Sequence, residues 1–79
     1  MAYDMFTPVT EEALRERIAA RVRALRTKTG LTLRVASERA TIHWRHWQKI
    51  EAAQVNVTLW TLVRLGEALR TDPMELVRI

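Results

Sequence analysis

The sequence predicts an all-α fold, a compact bundle of about five short helices. Three observations predict it. Apolar residues recur at helical spacing in one segment after another. Thr or Asp stands at segment starts, and Gly30 marks a stop. A chain of 79 residues makes one domain that buries only about 60–65% of its unfolded surface, which suits short helices with local contacts, or help from a second subunit.

Residues 1–9 read as an N-terminal arm and 10–79 as the helical domain. The arm's MAYDMFT is apolar and aromatic without a clear period. Tyr3, Met5 and Phe6 are costly to leave in water, which favours packing on the domain or on a partner. Two starts are open for the first helix. Thr7 could cap it with Pro8 at the first position, or Thr10 could cap it ahead of Glu11 and Glu12. The helix should run from about residue 10 to Lys28, with Leu14, Ile18, Val22 and Leu25 as its core stripe. Acids lie early in it, while Arg21, Arg23, Arg26 and Lys28 lie late, which complements the helix dipole. Gly30 supplies the stop.

Residues 31–53 hold the stretch around which the chain is organised. Thr32 should cap a second helix over Leu33 to Ala40. A tight break follows near Thr41-Ile42, and a third helix runs from Trp44 to about Ala52. At roughly 100° per residue, Trp47 and Ile50 fall on one side of it, with His46 at the edge. Trp44, Arg45, Gln48 and Lys49 share the opposite arc. One face therefore holds the helix to a core, and the other offers an aromatic ring, two cations and an amide. Arg and Lys can bond guanine edges, Gln can bond adenine, and an α-helix fits the DNA major groove. Helix, sharp turn and exposed second helix make a helix-turn-helix at about 32–52.

Thr58 should cap a fourth helix. Leu59, Leu62, Val63, Gly66 and Leu69 are expected on its core face, with Trp60, Arg64 and Glu67 opposite. Asp72-Pro73-Met74-Glu75 reads as a capping box with proline at the first position. It should open a short fifth helix, Pro73 to about Val77.

Composition narrows the function. With no cysteine there is no disulfide or thiolate metal site, and two histidines without nearby carboxylates do not suggest zinc. No apolar run is long enough to span a membrane, and the N-terminus lacks a signal-peptide layout, so a soluble cytoplasmic protein is expected. No paired acids or Gly-rich phosphate loop appears, and Ser37, the only serine, has no histidine base close in sequence. Neither an enzyme nor a cofactor is expected. The formal charge is +4, from 13 Lys plus Arg against 9 Asp plus Glu, and only Lys28 and Lys49 are lysines. That Arg-rich balance suits phosphate contact.

GLT at 30–32, ERA at 38–40, QKIEAA at 48–53, NVTLWTLVRLGEAL at 56–69 and DPMEL at 72–76 together resemble the XRE family, the Cro and phage-repressor type of helix-turn-helix protein. The resemblance spans about Ile18 to Leu76. It implies a lambda-repressor-like DNA-binding domain. It places His43, Trp44, Arg45, Gln48 and Lys49 against bases and nearby phosphates, and Thr32 and Asn56 on the DNA backbone. It also pairs Arg26 with Glu51 behind the reading helix. The sequence departs from the family pattern at several places. Leu33 stands where relatives often have Gln, and Val35 replaces an acidic capping partner. Ala36 is smaller than usual, so Val35 or Trp47 should fill the space. Thr41 replaces the turn glycine, so the turn should adopt a conformation that a β-branched residue tolerates. His43 replaces a Ser or Thr cap, and either contacts DNA or has no role.

The implied function is a sequence-specific transcriptional regulator of double-stranded DNA, a repressor or controller acting as a homodimer on a two-fold operator. The alternative is a protein-interaction module or antitoxin-type subunit on the same fold, with weak DNA binding or none. Trp60 lies off the expected core face beside charges, as an interface anchor would. Trp60, Arg64, Met74, Val77 and Ile79 are therefore expected at the dimer surface. The competing account folds Tyr3, Met5 and Phe6 over Trp60 in a monomer.

Overall fold

A computed structural model describes residues 8–78. Its elements are four α-helices and one 3-10 turn: α1 (Glu11–Lys28), α2 (Leu33–Ala40), α3 (Trp44–Glu51), α4 (Leu59–Leu69), and the turn Pro73–Leu76. The arm residues Tyr3, Met5 and Phe6, and Ile79 at the other end, lie outside the described residues.

Local chemistry sets the helix starts. Thr10, not Thr7, caps α1 by accepting the N–H of Ala13 at 3.0 Å. Thr32 accepts from Val35 at 3.1 Å and Thr58 from Thr61 at 3.1 Å. Each satisfies a donor that the helix itself cannot pair. Gly30 closes the end of α1 just past its cap Thr29, adopting φ 75° while Leu31 returns its N–H to Arg26 O at 3.0 Å. This left-handed close costs glycine nothing.

Helix α1 lies against α3 and α4, α2 against α3 and α4, and the 3-10 turn closes on α4 and α1. Their shared core holds Ile18, Val22, Ala36, Ala40, Ile42, Trp47, Ile50, Leu65, Ala68, Leu69 and Leu76. Trp47 is fully buried in the same core as the small Ala36, while Val35 is exposed.

Four expectations need correction. The fifth helix is a 3-10 turn that stops at Leu76, so the described residues form four α-helices rather than five. Asp72 accepts from Met74 N at 2.9 Å, but Glu75 turns away to Arg78 at 2.8 Å, so no reciprocal capping box extends the turn. The inward face of α4 is also rotated. Leu59 is 82% exposed and Val63 48%, whereas Thr61, Leu65 and Ala68 are buried beside Gly66 and Leu69. Gly66 fixes that rotation: a Cβ there would lie 2.8 Å from Thr71 O and 3.1 Å from Pro73 Cγ. Finally, Thr41 does not escape the glycine geometry. It closes α2 at φ 55° and ψ 40°, the left-handed region that β-branched residues avoid.

Candidate nucleic-acid interface

The turn after α2 leaves one side of α3 buried and the other exposed. Trp47, Ile50 and Glu51 are buried on its inner face. Trp44, Arg45, His46, Gln48 and Lys49 are exposed. A helix this short would not be stable alone, so its buried side must hold it.

Glu51 is the polar part of that anchor. It is 7% exposed and accepts from Arg26 Nε at 2.6 Å and Nη2 at 3.0 Å. Trp47 Nε1 donates to the same carboxylate at 2.7 Å. Arg23 stands 3.9 Å from it and donates to the Glu51 backbone carbonyl at 2.8 Å. Burial alone would raise the Glu51 carboxyl. The hydrogen bonds from Arg26 and Trp47, with the charges of Arg26 and Arg23, outweigh burial and hold it below the usual carboxylate range. The pair that the resemblance implied, Arg26 with Glu51, is thus brought together in space.

His43 caps α3 through its ring. Nδ1 accepts the backbone N–H of Arg45 at 3.1 Å. Its ring stacks with that of Trp44, centroids 5.9 Å apart and planes 24° apart. The Arg45 guanidinium lies 5.3 Å from the centre of the same indole.

Asn56 is exposed in the segment after α3, and Arg15 donates to its Oδ1 at 2.6 Å. Arg15 also pairs with Glu11 at 2.9 Å. Thr32 is exposed with its hydroxyl committed to the cap of α2. Sequence reasoning missed Arg15, 41 residues from Asn56, and Gln54, which lines a surface hollow with Arg45, Gln48, Lys49 and Ala52. Gln54 lies in an irregular segment where no period signals it.

A second exposed surface sits on α4. Leu59, Trp60 and Val63 are all exposed there, Trp60 at 59%. Arg64 stacks over Trp60 at 5.1 Å and pairs with Glu67 at 3.1 Å. Met74 is exposed on the 3-10 turn, and the partly buried Val77 packs against the core. Among the described residues, no helix is long and apolar enough to cross a membrane.

A model of the helix-turn-helix domain matches residues 17–78. The chain belongs to the helix-turn-helix domain family. The match begins within α1 and runs through the 3-10 turn, so it takes in every core helix. Among solved structures, the restriction-modification controller protein C.AhdI from Aeromonas hydrophila is similar at 29% identity, with a TM-score of 0.76, 78% of this chain and 94% of that chain covered. The clp gene regulator ClgR from Corynebacterium glutamicum is similar at 25% identity, with a TM-score of 0.77 and coverage of 85% and 71%. A hypothetical transcription factor, NHTF, from Neisseria shares the fold at 18% identity, with a TM-score of 0.80 and coverage of 95% and 90%. No curated protein matches significantly. With the XRE pattern in its sequence, this member of the family is a DNA-binding transcription regulator.

Proposed function

We propose that this helix-turn-helix protein is a sequence-specific repressor or controller that acts as a homodimer on a two-fold operator. One observation carries the reading: α3 is anchored in the core by Trp47, Ile50 and Glu51 and leaves Arg45, Gln48 and Lys49 exposed. Those three, with Trp44, are the base-reading set. Thr32, His43 and Asn56 are the phosphate contacts. C.AhdI is described as a controller and nearly all of its chain is covered, which supports the controller reading.

A single recognition helix reads only a few base pairs. Two-fold pairs solve this by setting two such helices about 34 Å apart, one turn of DNA. The exposed Leu59, Trp60 and Val63 supply a surface for a second copy. Leu59 and Val63 join Trp60, Arg64 and Met74 in that proposed interface.

Selection of bound fragments from the source genome, followed by gel shifts at two salt concentrations, tests the proposal. The expected result is a two-fold site whose affinity falls steeply with salt, as phosphate contacts require. A second reading, a protein-interaction or antitoxin-type module, is favoured only by the apolar patch on α4. Absence of DNA binding at low salt would select it.

A further inference from the structure

Trp44 occupies the first position of α3, the end of a recognition helix that meets base edges. It is exposed, yet its ring is held in place. His43 stacks on it, and His43 is fixed in turn by accepting the N–H of Arg45. The Arg45 guanidinium lies against the same ring at 5.3 Å. An indole has one donor and no acceptor, so it cannot make the paired bonds that identify guanine or adenine. What it offers a base edge is the exposed part of an apolar ring. The major groove displays one apolar group, the C5-methyl of a pyrimidine.

We infer that Trp44 reads a pyrimidine C5-methyl group in the operator, held in place for this by His43 and Arg45. The inference rests on the DNA-reading assignment of α3. Thymine and 5-methylcytosine present the same group in the major groove, so the test separates them.

The test uses the operator selected by the wild-type protein. Each thymine is replaced in turn by deoxyuridine, which removes only the methyl. The wild type should lose affinity about fourfold per half-site at one position, the worth of one buried methyl. Trp44→Ala should be indifferent there, and Trp44→Phe should keep the sensitivity. Trp44→Gln replaces the alanine variant if that one loses its helical circular dichroism. In a parallel arm, cytosines become 5-methylcytosines. A Trp44-dependent gain in that arm, with every thymine silent, supports the inference with methylcytosine as the group read. If the wild type binds and neither arm moves its affinity, Trp44 reads no methyl, while DNA reading by α3 stands. Sensitivity that survives in both Trp44→Ala and Trp44→Gln also overturns the inference. A wild type that binds no DNA overturns both assignments.

Discussion

Trp47 donates its indole N–H to the carboxylate of Glu51 at 2.7 Å, one turn later on the same helix. The bond joins the largest fully buried side chain to a buried acid, and Arg26 of α1 clasps that acid from the other side. Helix α3 is therefore fixed by packing and charge at one point. Arg26→Ala would leave Glu51 buried without its main partner, at about 3–5 kcal/mol. Arg23 is 61% exposed at its side chain, so Arg23→Ala should cost about 1 kcal/mol or less. Thermal unfolding of the two variants checks this, and equal melting shifts would contradict the arrangement.

The same site gives stability a pH dependence. Glu51 is held below its ordinary value of 4.5 in the folded protein. Its contribution is therefore complete above the unfolded value and is lost as pH falls through the folded one. Melting temperature should drop on acidification below about 4.5, and the drop should be shallower in Glu51→Gln, though that variant starts less stable. Parallel curves for the two proteins would assign acid unfolding to other groups.

Thr41 holds a left-handed conformation that its branched side chain resists. Thr41→Gly should relieve that strain and, after the added freedom of the unfolded chain, raise stability by about 1 kcal/mol or slightly less. A lower melting temperature would mean that contacts of the threonine side chain outweigh the strain.

Much of this architecture was legible because its causes are local. Thr32 and Thr58 cap helices with their own hydroxyls, and Trp47 and Ile50 show their face through spacing alone. The Arg26–Glu51 contact was legible only through the family resemblance, since the partners lie 25 residues apart. Helix α4 misled the pattern because it is apolar nearly all round, from Leu59 through Leu69, so periodicity could not say which side faces in. The close approach of Gly66 to Thr71 and Pro73 decides it, and that approach exists only in three dimensions. The bond from Arg15 to Asn56 was hidden for the same reason.

The outward side of α4 carries the dimer proposal. Trp60→Glu places a charge among Leu59, Val63 and Arg64, and Leu59→Asp does the same one residue away. Both should shift sedimentation toward the monomer and weaken operator binding while preserving the helical spectrum. A dimer unchanged by both substitutions would move the interface elsewhere, and a wild type that stays monomeric at high micromolar concentration and on its operator would remove the dimer.

Whether the outer face of α3 reads DNA is decided by comparing wild type with Gln48→Ala. Affinities are measured on the selected operator and on versions changed at each base pair in turn. Gln48→Ala should lose about 1–3 kcal/mol on the operator and lose discrimination at one base pair per half-site, with the other positions unchanged. Unchanged affinity, or equal weakening on every sequence, would contradict it.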